Sequence, residues 1–493
     1  MIETIDYLNS IIWSSWLIYL CLGAGVFFSI MTRFAQVRHF REMVRLLLSG
    51  KSSNEGISSF QALAVSLSGR VGTGNIAGVA AAIGFGGPGA VFWMWIVAFF
   101  GAATAYVEST NAQIYKEVDE EGTYRGGPAY YIEKALGQKW YAWIFAISTI
   151  LACGLLLPVV QSNGIGDAFV NVFGTGDSVD SFLGELAMTK VYAATGIVLL
   201  LGFIIFGGVK RIANFTQIVV PFMALAYIII ACSMIALHID MLPSIFMSII
   251  SDAFTPMAGF GAAIGWGVKR GVYSNEAGQG TGPHAAAAAE VDHPAQQGLV
   301  QAFSVYIDTL FVCSATAFMI LITNSYNVMP EGSTTFVAQN LAADVVMNGP
   351  AFTQIAVDSV FKGFGKPFIA VALFFFAFTT VLAYYFIAEN NVTYINKTIK
   401  MPALRFVLKL AIMCAVFYGT VAQPSSAWGL GDIGVGLMAW LNIIAILIIF
   451  ATAKPAIKAL RDYERQQKAG VSKYTFDPEK LGIKNADLWK DKL

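Results

Sequence analysis

One short stretch, Ser66 to Asn75, combines hydroxyl side chains, an arginine and three glycines inside an apolar segment. Glycines at positions 69, 72 and 74 strongly disfavour a continuous helix. A break there would free backbone carbonyls, which hold cations, and amides, which hold carboxylates. The alternative is a glycine-lined contact between two unbroken helices. Because the glycines cluster rather than follow one helix face, the break is the favoured interpretation.

A second glycine-rich stretch, Gly259 to Gly267, follows five predicted helices later. It predicts a second broken helix, whose freed carbonyls would accept an ammonium group. A rival location is the stretch Asn275 to Pro283, which also contains several glycines. Lys269 and Arg270 are expected to lie at the cytoplasmic membrane edge. The earlier stretch is therefore favoured, and the later one is interpreted as an inner gate or loop.

Two adjacent threonines, Thr379 and Thr380, lie deep in an uncharged run. Their hydroxyl oxygens could bind a small hard cation. The alternative, favoured when the pair is considered alone, is a hydrogen bond from each hydroxyl to a carbonyl of its own helix. Tyr384 follows Thr380 by one turn and shares its helix face, where it could wall a binding pocket.

Other polar side chains in apolar runs need partners. Gln161 and Asn163 lie near the end of one such run and would bind either a solute or a neighbouring helix. Arg70 is the most costly, because an arginine at mid-membrane costs at least about 2.5–3.5 kcal/mol. Its candidate partners are Glu108, Asp308 and a solute carboxylate. A structural ion pair is favoured over direct solute contact.

The sequence carries no signature of an enzyme or of an ATP-driven pump. Its five cysteines are isolated in apolar runs and its four histidines lie in loops or at helix ends, so no metal cluster or redox pair is predicted. No H-E-x-x-H, G-x-S-x-G or Walker pattern occurs. Acidic and basic residues balance at 31 each, which argues against nucleic-acid binding driven by net charge.

Composition indicates which kind of protein positions these residues. Hydrophobic residues make up 56% of the 493 residues and charged residues only 13%, against about 25% charged in soluble proteins. Uncharged runs long enough to cross a lipid bilayer recur along the chain, which predicts an all-α polytopic membrane protein with eleven transmembrane helices. The predicted spans lie near 11–32, in the two halves of 57–107 that turn at 84–89, and near 141–162, 191–208, 214–237, 244–267, 299–322, 367–388, 403–421 and 433–453.

Basic residues in the loops predict the orientation. Alternate loops contain 16 lysines and arginines, whereas the opposite loops contain three. The basic loops are therefore expected in the cytoplasm, with the N-terminus outside and the C-terminus inside a plasma (inner) membrane. These basic loops lie near 33–51, 116–139, 210–211, 269–270 and 397–405.

The pattern divides the chain into four regions. Residues 1–56 would form an extra first helix and a basic loop. Two glycine-interrupted spans that each open a set of five helices match an inverted five-plus-five repeat, over 57–240 and 241–453. The tail, 454–493, is predicted to begin as a helix and to finish as a loose end, and the outer loop near 324–366 could hold a short helix.

Three motifs are similar to those of one known family. They are Gly86 to Gly101 (GGPGAVFWMWIVAFFG), Gly72 to Gly78 (GTGNIAG) and Trp266 to Gly278 (WGVKRGVYSNEAG). Over nearly its whole length the chain resembles the alanine or glycine:cation symporter family, the sodium:alanine symporters. The resemblance implies a LeuT-like fold of the amino acid–polyamine–organocation superfamily, and sodium-coupled uptake of a small neutral amino acid.

The resemblance also implies roles for particular residues. The amides of Thr73 and Gly74 would receive the substrate carboxylate. Tyr384 stands where the alanine transporters carry tryptophan, and Arg70 where they carry a small residue, so glutamine stays open as a substrate beside alanine and glycine. The implied sodium ligands are Ser68, Val71, Thr379 and Thr380. Together with the second break, the expected substrate contacts are Arg70, Thr73, Gly74, Asn75, Gln161, Ile264, Gly265, Gly267, Thr380 and Tyr384.

Alternatives to sodium symport stay open at this point. A proton-coupled amino-acid transporter would use the same fold. A channel would need a selectivity ring or a continuous polar face, and neither is visible in the sequence; a non-transporting sensor is the third alternative. Na⁺ is the expected co-transported ion, and no organic cofactor is expected.

Overall fold

The computed structural model describes residues 2–48, 57–181 and 184–490. Apolar runs form helices because the bilayer offers backbone amides and carbonyls no other partners. The helices of the first half are α1 (Ile2–Ile12), α2 (Ser15–Met31), α3 (Ala35–Arg38), α4 (Phe40–Leu48), α5 (Ser59–Arg70), α6 (Val79–Gly86), α7 (Gly89–Ile114), α8 (Pro128–Leu136), α9 (Lys139–Leu151), α10 (Leu157–Phe173), α11 (Met188–Ile205) and α12 (Gly208–Leu237).

The second half is also helical. Its helices are α13 (Leu242–Phe254), α14 (Phe260–Asn275), α15 (Gly282–Ala288), α16 (Pro294–Val305), α17 (Ser314–Ile322), α18 (Ala351–Val360), α19 (Gly365–Ile399), α20 (Ala403–Val421), α21 (Pro424–Thr452), α22 (Pro455–Lys468) and α23 (Asp487–Lys490). Wider π-helical turns occur at Gly74–Gly78, Ala152–Leu156 and Tyr306–Cys313, and a 3₁₀ turn at Ile239–Met241. Antiparallel hairpins pair β1 (Glu117–Val118) with β2 (Tyr124–Arg125), β3 (Ser178–Ser181) with β4 (Gly184–Ala187), and β5 (Asn327–Val328) with β6 (Ala338–Gln339).

Helix length and exposure identify a membrane protein. In the described part of the chain, eight helices are long and apolar enough to cross a membrane, and the bent α1–α2 pair makes a ninth if it is one span. Large apolar side chains such as Phe203, Ile218 and Phe222 are 70–72% exposed on α11 and α12. So much exposed apolar surface requires a lipid environment. The chain is an all-helical, multi-pass membrane protein.

The predicted break in the first glycine-rich stretch is confirmed. Helix α5 ends at Arg70, and Val71 leaves the helical region with a ψ of 89°. The chain then resumes as the π-helical turn Gly74–Gly78, which leads into α6. The first broken helix is therefore α5–α6.

The break predicted at 259–267 is wrong, and the helix is interrupted at the rival location, 275–283. Helix α14 is continuous over its whole length, is followed by Glu276 in the left-handed region with a φ of 56°, and leads through residues 277–281 to α15. A Cβ on Gly267 would lie 2.5 Å from the carbonyl oxygen of Ala90. This glycine therefore permits α14 to pack closely on α7 rather than breaking the helix. The second broken helix is α14–α15.

Arg270 explains why the second break was misplaced. It is 1% exposed, and its guanidinium donates to Asp432 at 2.9 and 3.0 Å, while Lys269 pairs with the same carboxylate at 2.8 Å. The expectation that these two basic residues mark the cytoplasmic edge is therefore wrong. The single span predicted near 244–267 is also wrong, because a turn between α13 and α14 interrupts it.

Two peripheral predictions have opposite outcomes. The loop near 324–366 contains the short helix α18, as predicted. The loose end predicted after α22 is wrong, because residues 470–490 pack back on the helix bundle and leave Trp489 only 2% exposed. The predicted region boundary at 56/57 falls beside residues 49–56, which lie outside the described residues.

Helix α7 organises the core by packing against α2, α14, α15 and α16. The π-helical turn of the first broken helix contacts α14, and α19 contacts both α5 and α10. The two broken helices, α10 and α19 therefore meet in the centre of the molecule. We use "vestibule end" for the end of the bundle near α1 and "tail end" for the end near α22 and residues 470–490.

Candidate functional site

Three oxygen atoms from two helices converge at the first break. The Thr380 hydroxyl lies 2.7 Å from the Ser68 carbonyl oxygen and 3.3 Å from the Val71 carbonyl oxygen. In a continuous helix the amide of Gly72 would bond the Ser68 carbonyl, but it donates to the side chain of Asn75 instead, at 2.8 Å. Carbonyl and hydroxyl oxygens suit a small hard cation, and rotation of the hydroxyl would turn its oxygen toward one.

Thr379 does not join this cluster. Its hydroxyl donates to the carbonyls of Phe375 and Phe376, at 2.8 and 3.1 Å, and faces the sulfur of Met223. This is the hydrogen bonding to its own helix that the sequence offered as the alternative, and the Thr380 hydroxyl also lies 2.9 Å from a carbonyl oxygen of its own helix, that of Phe376. Successive helix residues point about 100° apart, so only Thr380 of the pair reaches the break.

The break also presents a backbone amide. The Thr73 amide donates to Gln161 Oε1 at 2.9 Å. Glycine at position 72 makes this approach possible, since a Cβ there would lie 2.5 Å from Thr380 Oγ1 and 2.7 Å from Gln161 Oε1. An amide at the start of a half-helix is a favourable partner for a carboxylate, and here the side-chain oxygen of Gln161 occupies that position.

Tyr273, which the sequence reasoning missed, covers Gly74. A Cβ on Gly74 would lie 3.0 Å from the Tyr273 ring, and the Tyr273 hydroxyl accepts a hydrogen bond from Gln161 Nε2 at 3.3 Å. Tyr273 lies in the motif that starts at Trp266, but the motif was assigned to a membrane edge. Placing the break after Asn275 would have identified Tyr273 as a lining residue.

Tyr384 connects α19 to the second break. It is 2% exposed, and its hydroxyl interacts with the carboxylate of Glu276, the residue that directly follows α14. The same carboxylate accepts a hydrogen bond from the Thr281 hydroxyl at 2.8 Å. Gly69 leaves room for it, since a Cβ there would lie 3.3 Å from Glu276 Oε2. Tyr384 is therefore held between the two broken helices.

Asp308 joins the two broken helices through hydrogen bonds. Its carboxylate accepts from Asn75 Nδ2 at 2.6 Å on the first broken helix and from Ser274 Oγ at 2.8 Å on the second. Thr309 Oγ1 donates to the same carboxylate at 2.7 Å. Ser274 was not a candidate from sequence, because a lone serine gives no signal without its partner.

Arg70 lies in the interior at 1% exposure. Its Nη1 donates to the Gln301 carbonyl at 3.1 Å, and a Cβ on Gly282 would lie 2.7 Å from its Nη2. In the part of the chain that the structure describes, Arg70 makes no ion pair within 4 Å, so the structural ion pair favoured from the sequence is not formed at contact distance. Three buried carboxylates act on it from greater distances: Glu276, Glu108 and Asp308.

The three expected contacts in the first half of α14 do not reach this site. Gly265 lines a cavity at the vestibule end, Gly267 packs on α7, and Ile264 is half-buried. Their placement at the substrate site is corrected, because a continuous helix uses its own carbonyls and leaves none for an ammonium group.

The site is separated from a cavity of about 750 Å³ at the vestibule end. The ion pair between Arg270 and Asp432 lines that cavity, together with Trp428. The Arg270 guanidinium carbon lies 4.3 Å from the Trp428 ring centre, and the Trp428 and Tyr273 rings are 5.1 Å apart. This layer therefore stands between the cavity and the groups at the first break.

Backbone hydrogen bonds close the site at the tail end. The Ile57 amide donates to the Ala288 carbonyl, and the Glu290 amide donates to the Ile57 carbonyl, each at 3.1 Å. His284 of α15 contacts Asn391 of α19 at 2.9 Å. The tail-end portions of the two broken helices are therefore bonded to each other.

Comparison with known proteins agrees with this architecture. The model of the sodium:alanine symporter family matches residues 1–477. The chain is 57% identical over 494 residues to YrbD of Bacillus subtilis (strain 168), covering 99% of this chain and 98% of YrbD; that name assigns, without demonstrating, a sodium/proton-dependent alanine carrier. It is 49% identical over 453 residues to the sodium/proton-dependent alanine carrier protein of Bacillus sp. (strain PS3), covering 91% and 97% of the two chains.

A third relative, GlnT of Bacillus subtilis (strain 168), is 41% identical over 468 residues, with 94% of this chain and 90% of GlnT covered; its name assigns, again without demonstrating, a sodium/glutamine symporter. Matches of this length and identity exceed what a shared fold alone would give. Together with the two broken helices and the many apolar spans, they lead to one conclusion. The chain belongs to the sodium:alanine symporter family, whose members are membrane transporters and not enzymes.

Proposed function

We propose that this chain imports a small neutral amino acid together with sodium by alternating access. The observation that supports this most directly is the composition of the first break. The carbonyls of Ser68 and Val71 and the hydroxyl of Thr380 offer oxygens for a cation. The amide of Thr73 offers a partner for a carboxylate within the same turn of chain.

Coupling follows from the origin of the proposed sodium ligands. Ser68 and Val71 belong to the first broken helix, whereas Thr380 belongs to α19. Sodium binding would therefore favour the arrangement that keeps these two elements together, and coupling is the difference in affinity between two such arrangements. A membrane potential adds about 2.3 kcal/mol per charge per 100 mV to the driving force.

We also propose the complete topology. If both broken helices are added to the nine spans identified by length, the total is eleven. The broken helices then open two successive sets of five, as in a LeuT-like five-plus-five inverted repeat after one extra helix. The N-terminus would lie outside the plasma membrane and the C-terminus in the cytoplasm, so that the vestibule end faces outward.

The proposed substrates are alanine, glycine and glutamine. Tyr384, Tyr273 and Gln161 enclose the first break with aromatic rings and one amide, which suits a small zwitterion with an uncharged side chain. Among the relatives, the names of YrbD and the PS3 protein refer to alanine and that of GlnT refers to glutamine. Asn75 and Gly74 would contact the substrate from the first broken helix.

Proton coupling is the second candidate, and a specific observation favours it. Asp308 is fully buried between the two broken helices, where its carboxylate could bind a proton in one state and release it in another. The names of two relatives include protons beside sodium. A buried carboxylate that changes partners during opening can carry a proton.

Reconstituted protein separates these proposals. Proteoliposomes are loaded so that either a sodium gradient or a proton gradient is present alone, and uptake of labelled alanine, glycine and glutamine is measured. Sodium symport predicts uptake with the sodium gradient and none with the proton gradient. Uptake driven by the proton gradient in sodium-free buffer would show that protons, rather than sodium, are the coupling ion. If neither gradient drives saturable uptake and no counterflow is observed, amino-acid symport is overturned.

A further inference from the structure

The C-terminal segment, residues 470–490, is docked on the tail end through aromatic anchors. Trp489 and Phe476 are each 2% exposed, and their ring centres lie 5.2 Å apart. The Trp489 indole nitrogen donates to the Gln113 carbonyl at 2.8 Å, and Asn485 Nδ2 donates to the Lys134 carbonyl at 2.7 Å. Buried aromatic rings with satisfied polar atoms are typical of specific contacts.

The residues beneath Trp489 hold the end of the second broken helix. The side-chain amide of Gln113 donates to the carbonyls of Ala286 and Ala289, the latter at 2.9 Å. Lys116 Nζ donates to the Ala289 carbonyl at 2.8 Å and lies 5.5 Å from the Trp489 ring centre. Trp489 thus contacts the backbone of Gln113 and the ammonium group of Lys116, the two residues whose side chains bind the carbonyls of Ala286, in α15, and Ala289, just after it.

The same end of α15 is bonded to the first broken helix. Ile57 exchanges backbone hydrogen bonds with Ala288 and Glu290, each 3.1 Å long. Under the proposed alternating access, these two helix ends must separate before a substrate can leave on the cytoplasmic side. Any element that holds Gln113 and Lys116 against the end of α15 while α15 is paired with Ile57 will oppose that separation.

We propose that residues 470–490 form an intramolecular latch that holds this cytoplasmic gate closed, with Trp489 as its positioning residue. This inference rests on the proposed transport function, because a gate has a role only in a transporter. The contacts that residues 470–490 make, however, involve neither the proposed sodium site nor the proposed substrate site. The latch acts on the equilibrium between closed and open gate, since it adds contacts to the closed state and none to the central site. Loss of a central tryptophan anchor typically weakens such a contact about 30-fold or more.

The test measures gate opening directly. Ala288 is 6% exposed, so Ala288→Cys in a background without the five native cysteines reports when the gate opens. Labelling by a membrane-impermeant maleimide is followed in inside-out vesicles without sodium or amino acid. We expect Trp489→Ala to speed labelling at least about tenfold, and Lys480→Ala, at an exposed residue of the same segment, to leave the rate unchanged.

Two further arms exclude a folding defect. Trp489→Phe retains a buried ring but loses the hydrogen bond to Gln113, so it should label at an intermediate rate. A synthetic peptide of residues 470–490, added to vesicles that contain protein truncated after residue 469, should slow labelling again, which a misfolded gate would not permit.

The outcomes separate the latch from the transport proposal. Labelling of Trp489→Ala within about twofold of the parent protein, or a peptide without effect, overturns the latch. If labelling responds as expected but no gradient drives amino-acid uptake, the latch stands and the proposed transport function fails.

Discussion

Replacing the adjacent threonines one at a time tests the proposed sodium site. Thr380→Val and Thr379→Val remove the same hydroxyl from neighbouring, fully buried positions of one helix. Both hydroxyls lie within hydrogen-bonding distance of a carbonyl of their own helix, but only Thr380 Oγ1 also contacts the Ser68 and Val71 carbonyls across the first break, whereas Thr379 Oγ1 faces Met223. Valine has nearly the same shape, so packing changes little in either variant.

The expected magnitudes differ between the two positions. A hydrogen-bonding partner of a charged group is worth about 1.5–3 kcal/mol, so Thr380→Val should raise the sodium concentration for half-maximal uptake by about 10- to 150-fold. A hydroxyl bonded to its own helix contributes little, so Thr379→Val should stay within about threefold of the parent protein. Thr380→Ser keeps the oxygen and should recover most of the sodium dependence.

The assay is initial uptake in proteoliposomes at a fixed amino-acid concentration over a range of sodium concentrations. Protein amount and orientation are matched between variants. A Thr380→Val protein with unchanged sodium dependence would refute the assignment. So would equal losses in both valine variants, because the structure places only one of the two hydroxyls at the break.

Other substitutions test the rest of the site. Gly72→Ala should abolish uptake while the protein still inserts, because its Cβ would lie 2.5 Å from Thr380 Oγ1; uptake near the parent rate would contradict the close approach. Asp432→Asn should make the site more accessible from the vestibule end, because Arg270 loses its paired charge. With Tyr273→Cys as the reporter, labelling from the outside should therefore be faster, and an unchanged labelling rate would contradict this. The ring of His293 packs against Phe476 of the tail, with ring centres 5.1 Å apart. Burial outweighs the effect of Asp462 and lowers the pKa of His293, so protonation should weaken docking of the tail as the pH falls below about 6.5. Protease cleavage of the tail should then increase, and His293→Gln should remove that pH dependence.

The first break could be predicted because its cause is local. Three glycines within six residues disfavour a helix whatever surrounds them. The long uncharged runs likewise predict helices from length and composition alone. Polar residues in apolar runs, such as Arg70 and Asp308, also attract notice from sequence, because their burial needs partners.

The second break could not be placed for a tertiary reason. Gly259 to Gly267 has the same composition as a break, but close packing of Gly267 on Ala90 makes it a helix contact. Arg270 resembles a membrane-edge residue until its partner Asp432, 162 positions along the chain, is known. Nothing within the local sequence distinguishes a basic residue at a boundary from one in a buried ion pair.

Sequence alone thus determined that the chain is a helical membrane protein with a helix interrupted within 69–75, since backbone propensity and hydropathy act over short distances. Tertiary structure decided which polar groups meet there. It selected Thr380 over Thr379, brought Tyr273 and Ser274 to the site, and folded Trp489 back onto the gate. Such contacts depend on the packing of helices that are far apart in the chain, and residue types alone do not specify that packing.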